Sequence, residues 1–475
     1  MKTYEDLKKY VETGGVEGFL LDAITQHKAS ELYHEASIAY DYYRKQNVTI
    51  LAYQKLLYTL SGEAVPDNFS ANYKFCNSFF PTFLKQEVSH LLGNGVNFSK
   101  EDTKQKLGDN KFDTTIMKIA KAALWGGVAF GFWNLDHIDM FDVLEFVPLV
   151  GEEDGALHAG IRFWQIDPQK PLRITLYEED GYTEYIRGGE DLTDNESGIR
   201  VLKEKQPYMI NYVMSEVDGV EILDGKNYPS FPIVPLWANA EKQSELVGLR
   251  QKIDGFDLIQ SGFANDLDDA SQIYWTITNA GGMDDIDLKK FIERMKVVHA
   301  AVVDEAGSTA QAHTLEVPYQ ARQVGLANLR DSLYEDAMAL DTDKISAGSI
   351  TATAIEAAYE NLTLKCDDFE VCVTEFINAI LELAGIDDAP TYKRSKITNM
   401  AENTTMVLSA AQYLDTETIL KHLPFLAPDE IDGILDRLEQ EEQDRYEQMQ
   451  EVMTSGQGEE TDRGTTPNNG EENQD

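Results

Sequence analysis

Apolar residues in the first 62 positions recur at helical spacing and are rich in tyrosine (YHEASIAYDYYRKQNVTILAYQKLL), which predicts amphipathic helix. NYKFCNSFFPTFLKQEVSHLL (72–92) predicts a second helical stretch, kinked or restarted at Pro81 and stopped by Gly93-Asn94-Gly95. Residues 113–124 read as helix again. From Trp125 to Pro235 the pattern changes to short runs, AFGFWNLD, FDVLEFVPLV, AGIRFWQID, LRITLYEED, YTEYIRG, MINYVM and VEILDG, separated by Gly, Asp, Asn and Pro. That is the signature of strands and turns.

After FPIVPLWANAEKQ the helical spacing returns. Ser244 reads as the N-cap of a long helix over 244–268, with a stripe of Leu246, Leu249, Ile253, Phe256, Ile259, Phe263 and Leu267. Gly248, Gly255 and Gly262 recur in it every seven residues and leave a bare groove, suited to close approach of a neighbouring helix or subunit. A compact insert follows over 271–318: a strand (YWTITNA), a Gly281-Gly282 turn, a helix (DIDLKKFIERM) and further strands (VVHAAVVDE, AHTLEV). A second long helix is expected from Tyr319 to Leu340, with Leu326, Leu329, Leu333 and Leu340 on its stripe. A third is expected from Thr353 to Leu383, with Ile355, Ala358, Leu362, Phe369, Val373, Phe376, Ile380 and Leu383. Between these two lies a joint of small polar residues with a single lysine, Lys344. By its chemistry alone it reads as a plain linker. Residues 398–453 read as increasingly acidic helix, with Pro424 and Pro428 at helix entries. The tail from Thr454 has too few apolar residues to offset chain entropy and reads as disordered.

Charge narrows the function. The chain has 475 residues, and 41 Lys+Arg against 83 Asp+Glu leave a net charge of −42. Gripping nucleic acid requires clustered Lys and Arg, so tight DNA binding is excluded. A surface past which DNA must slide would, however, be acidic. Cys76, Cys366 and Cys372 fit no metal spacing and read as free thiols in a reducing compartment. MKTYEDLKKYVETGG lacks an apolar signal core, and no run approaches the ~18 apolar residues of a membrane helix, so no membrane partner is expected.

Catalytic motifs are absent: no GxxxxGK[ST], no GxSxG, no HExxH. His299 and His313 sit in strand patterns and read as structural. Asp266, Asp268 and Asp269, and Asp284, Asp285 and Asp287, are the carboxylate clusters a two-metal nuclease would use. In so acidic a chain they read first as solvated helix ends and helix entries. GGVAFGFW (126–133) lacks the strand, GxGxxG, helix order of a dinucleotide site and reads as a tight turn with close backbone packing. No cofactor, metal site or catalytic residue is expected.

The order of pieces resembles the portal (connector) proteins of tailed bacteriophages, in particular the siphophage type of Gram-positive hosts. ANYKFCNSFFPTFLKQEVSHLLGNGVNFS, ALWGGVAFGFWNLD, FPIVPLWANAEKQSELVGLRQKIDGFDLIQSGFANDLDD and AGSITATAIEAAYENLTLKCDDFE carry the resemblance, which spans about residues 30–385. It implies an α+β portal architecture. Residues 1–240 would be the wing, 241–269 a stem helix, 270–318 the clip and 319–341 the second stem helix. Residues 342–352 would be the tunnel loop, 353–397 the long wing helix and its connection, 398–453 the crown and 454–475 a disordered acidic tail. Lys344, Ser346, Gly348, Ser349 and Thr351 would face DNA in the channel. Relatives often have Ser-Gly, a small residue and Leu where this chain has Ser349-Ile350-Thr351-Ala352, so the loop's edge departs from the family pattern.

The implied function is a homo-oligomeric ring, a dodecamer, at one capsid vertex of the virion, assembled in the host cytoplasm. Double-stranded DNA would pass through it without sequence-specific binding. Its implied partners are the terminase large subunit, head-completion or adaptor proteins, and the major capsid and scaffold proteins. The alternatives are a metal-dependent phage nuclease and an acidic adaptor or scaffold protein that threads no DNA.

Overall fold

The structure, a computed structural model, describes residues 2–455 apart from 59–60, 69, 101, 189–197, 215–220, 271–273, 279–285, 288, 291–308, 314–317, 347–351, 396–399, 424–425 and 427. The backbone divides into two units, one of residues 1–342 with 358–396 and one of residues 343–357 with 397–475.

The first unit opens with helices α1 (Tyr4–Thr13), α2 (Val16–Lys28), α3 (Glu31–Tyr43) and α4 (Val48–Ala52). The expected helix does not extend to residue 62, because β1 (Leu56–Tyr58) and β2 (Ala64–Pro66) pair as an antiparallel hairpin there. Nor is 72–92 one helix. Residues 71–78 run without regular secondary structure, and α5 begins at Phe79 and ends at Leu92. Pro81 therefore lies in the first turn, where a missing N–H costs no hydrogen bond. After β3 (Val96–Asn97) and α6 (Thr103–Lys106), α7 (Asn110–Gly126) leads through Gly127, at φ +78°, into the strands.

A five-stranded antiparallel sheet runs in the order β10 (Ile199–Gln206), β9 (Gly181–Arg187), β8 (Leu172–Glu178), β7 (Leu157–Trp164), β6 (Phe146–Val150). Strand alternation gives it two different faces. Ile161, Phe163, Ile174, Leu176 and Tyr185 are buried in a core with Phe19, Leu20 and Ile24 of α2. Arg162, Trp164, Arg173, Thr175, Tyr177, Tyr182 and Glu184 line a cleft with Phe132 and Phe141 of a three-stranded sheet. That sheet has the order β13 (Ile233–Trp237), β4 (Val128–Asn134), β5 (His137–Asp142), and β11 (Met209–Met214) and β12 (Glu221–Lys226) pair separately.

Two glycines explain close contacts. A Cβ at Gly131 would come within 2.5 Å of Phe376 Cζ, and one at Gly160 within 2.0 Å of Phe146 Cζ. The close packing read from GGVAFGFW is thus real and lies at β4. Gly160→Ala should destabilise by about 1–3 kcal/mol through overpacking, measured by urea unfolding.

The long helices follow. α8 spans Arg250–Ala270, shorter than expected. Ser244 does not cap it: its hydroxyl accepts from the N–H of Leu246, and its carbonyl from that of Val247, closing a tight turn. Gly248 at φ +86° holds a left-handed conformation, incompatible with continuing a right-handed helix, so the helix starts two residues later. Of the three spaced glycines, only Gly255 and Gly262 lie in α8. The insert is seen as β14 (Tyr274–Thr278) paired antiparallel with β15 (Thr309–His313). His299, the Gly281-Gly282 turn and Asp284 and Asp285 lie outside the described residues. α9 spans Tyr319–Asp336, and Leu340 lies beyond its end.

α10 (Thr342–Ser346) is a short helix, and α11 (Ala352–Ala384) is the expected third long helix, followed by β16 (Thr391–Tyr392). Its stripe is buried at Ile355, Leu362, Phe369, Val373, Phe376, Ile380 and Leu383. The C-terminal part has α12 (Met400–Ala410), α13 (Thr416–His422) and α14 (Pro428–Ser455). Asp415 caps α13 by accepting from the N–H of Thr418. Pro428 opens α14 as expected, while Pro424 and the tail from 456 lie outside the described residues.

Candidate functional site: the segment between the long helices

α8 and α9 form an antiparallel pair fixed at two levels. Lys252 pairs with Asp336 and donates to Ser332 Oγ at 2.6 Å, while Arg322 pairs with Asp266. Both pairs advance by fourteen residues along each helix, roughly 21 Å, so the register stays constant over four turns. A Cβ on Gly262 would lie 3.7 Å from Arg322, ordinary contact, and one on Gly255 would meet nothing within 4 Å. Within one subunit neither glycine is required for close approach.

The opposite side of α8 carries a feature missed in the sequence. Asp257, Ser261 and Asn265, four residues apart, are buried although polar. They accept the backbone N–H groups of Asn77, Phe75 and Tyr73 at 3.1, 3.0 and 2.7 Å. Two extended residues advance ~6.6 Å and four helical residues ~6.0 Å, so a strap and a helix side can match step for step. Asn77 Nδ2 also donates to Asp257 at 2.7 Å, and Asn47 Nδ2 reaches the same carboxylate. Burial pushes the Asp257 carboxyl above its usual range, partly offset by these amide donors. The sequence signal was a second, polar repeat of four beside the apolar stripe.

The chain after α9 is clamped as far as the joint. Met338 turns it at φ +50°. Gln86 accepts from the N–H of Leu340 at 3.2 Å and donates to its carbonyl at 2.9 Å. Arg330 holds Asp341 in a two-pronged fork at 2.8 and 2.9 Å. Lys365 donates to the carbonyl of Ala337 at 3.3 Å, and its ammonium lies 2.9 Å from Glu87 and 2.7 Å from Glu245. One ammonium therefore joins α5, the turn before α8, the end of α9 and α11.

Burial pushes Glu87 up to about 7, with Lys365 opposing and Glu245 adding to the rise. Burial pulls Lys365 down, but the two carboxylates outweigh it and hold its pKa above the ordinary lysine value.

The candidate channel residues begin at Lys344, three residues beyond Asp341, where this clamp ends. Lys344 lies exposed on α10 and Ser346 is its last residue. Part of the expected loop is thus helical. Gly348, Ser349 and Thr351 lie outside the described residues. Of the acidic clusters, Asp266 is held by Arg322 and Asp287 lies 3.7 Å from Lys290. Among the described residues no group of three His, Cys, Asp or Glu side chains is placed to hold a metal ion.

A family model described as "Phage portal protein, SPP1 Gp6-like" matches residues 22–444. The chain belongs to this portal family. The portal protein of Clostridium phage phiCD119 is 28% identical over 236 residues, which take in 48% of this chain and 52% of that relative, about half its length. The portal protein of Bacillus phage SPP1 is 22% identical over 446 residues, 85% of this chain and 83% of the relative. Among solved structures, a chain in the neck of a native gene transfer agent particle is 11% identical, with a TM-score of 0.41 over 74% of this chain and 90% of its own. A chain in the neck of an empty particle is 10% identical, with a TM-score of 0.43 over 76% and 90%. The α+β fold of this portal chain is that of its family, with strand-rich and long-helix regions in the order expected.

Proposed function

We propose that this portal chain closes into a ring of twelve subunits at one capsid vertex, through which double-stranded DNA is packaged and ejected. It would dock the terminase large subunit during packaging and head-completion proteins afterwards, and contact the major capsid and scaffold proteins. In this reading residues 1–240 and α11 form the wing, α8 and α9 the stem, the β14–β15 insert the clip and residues 398–453 the crown. The observation that carries it is the family match over 22–444, joined to a short segment held between two long helices and clamped at its entry.

The chemistry suits a conduit. A net charge of −42 repels phosphate, so DNA meets few sites that would retard sliding. Lys344, Ser346, Gly348, Ser349 and Thr351 would give weak, sequence-blind contact. The ring would have no catalytic site of its own. Gly255, where a Cβ would meet nothing within 4 Å among the described residues, and Gly262 would let stem helices of adjacent subunits approach; Gly248 serves a turn instead.

Negative-stain microscopy of the purified protein should show rings with a central hole. A stable monomer with divalent-dependent nuclease activity would overturn the reading. Lys344→Glu and Gly348→Pro should each lower packaged DNA in a packaging assay while leaving rings intact. Normal packaging by both would remove the channel assignment of this segment.

A further inference from the structure

The outer face of the five-stranded sheet and the three-stranded sheet enclose a cleft of about 310 Å³ that the ring function does not use. Its size is that of a small ligand site. Strand alternation builds it. Arg162 and Thr175 face each other across β7 and β8, and Thr175 faces Glu184 across β8 and β9. One register step away, Trp164 faces Arg173.

The Arg162 guanidinium lies between two rings, 4.3 Å from the centre of Phe141 and 4.7 Å from that of Trp164. Such stacking fixes its plane and leaves its edge for an anion.

The charges in the cleft are not evenly matched. Asp139 accepts from Asn134 at 3.0 Å and has His137 at 3.6 Å, while Glu184 pairs with Lys203 at 2.8 Å. Both acids thus have partners outside the two arginines. Arg162 has Glu145 at 3.7 Å, within ion-pairing range, and the charge of Asp142 nearby, whereas among the described residues no carboxylate pairs with Arg173. One exposed cation, Arg173, is left without a carboxylate partner among the described residues, in a chain with a two-fold excess of acids.

The rim continues into Leu202, 42% exposed, on β10, which among the described residues is an edge strand paired on one side. An extended chain can lie along such an edge.

We propose that this cleft docks an acidic peptide segment. One carboxylate would bridge Arg162 and Arg173, and the apolar residue beside it would rest against Trp164, Tyr182 and Leu202. A single negative charge fits better than a phosphate dianion, because Asp139 and Glu184 line the same space.

The test uses the assembled full chain and two acetylated, amidated tripeptides, Gly-Phe-Glu and Gly-Phe-Gln, titrated by calorimetry. The acidic peptide should bind at least about tenfold more tightly than its amide counterpart, the scale of one charge-assisted hydrogen bond. Arg173→Gln, at an exposed position, should remove that preference without altering the ring. Absence of binding by either peptide, equal binding of the two, or an undiminished preference in Arg173→Gln would each overturn the proposal.

Discussion

Replacing Lys365 with methionine should lower stability by about 3–5 kcal/mol, the range for removing one partner of a buried ion pair. Methionine matches the lysine stem and lacks only the terminal nitrogen, so little packing is lost. Glu87 and Glu245 would then face each other without the cation that holds both, and the carbonyl of Ala337 would lose a donor. Urea unfolding should show the loss. Unfolding equal to that of the native chain would mean that the ammonium contributes nothing net.

Glu87 gives the same node a pH signature. Its folded pKa is raised from 4.5 to about 7, so the folded state holds an extra proton between those values. The associated stability is present at low pH, falls as pH rises from about 4.5 through 7, and is absent above. Glu87→Gln should remove that slope, so the stability difference between variant and native chain should move in the variant's favour from pH 5 to pH 8.

The second large effect is expected at Asp257→Ala. The backbone N–H of Asn77 and the side-chain amides of Asn77 and Asn47 all donate to this buried carboxylate. Removing it strands the N–H of Asn77 and weakens two side-chain amides, which keep Gln260 (for Asn77) and the Asn77 carbonyl at 3.5 Å (for Asn47); at about 1–3 kcal/mol per stranded buried polar group, a loss of about 2–3 kcal/mol is expected. Limited proteolysis should show faster cleavage in residues 71–78, the strap that loses its anchor. Asp257→Asn, which keeps an acceptor oxygen, should be milder. Cleavage unchanged in Asp257→Ala would show that Ser261 and Asn265 suffice to hold the strap.

Periodicity made most elements legible. α11 was read to within a residue at each end because one apolar stripe runs its whole length and small residues mark its start. The start of α8 was misread because Ser244 resembles a cap, whereas a left-handed Gly248 interrupts the helix. The helical reading of the first 62 residues took in 56–58, which instead pair with 64–66 as a hairpin, a contact between positions up to ten apart that helical spacing does not report. Glu87 and Lys365 left a faint mark. Glu87 falls within the apolar repeat of Phe80, Leu84 and Leu91, and Lys365 adjoins buried Cys366. A charge at such a position signals a buried partner but does not name it.

By itself the sequence determined the class of protein: an acidic chain without catalytic motifs, long helices around a small insert, and the stretches that place it beside the portal proteins. These are local or compositional properties, fixed by spacing and charge along the chain. Only the tertiary structure decided that Lys365 joins four elements, that Asp257, Ser261 and Asn265 hold a strap, and that two arginines share a cleft. Each brings together residues far apart in sequence, and which buried charge or amide finds which partner depends on how the elements pack.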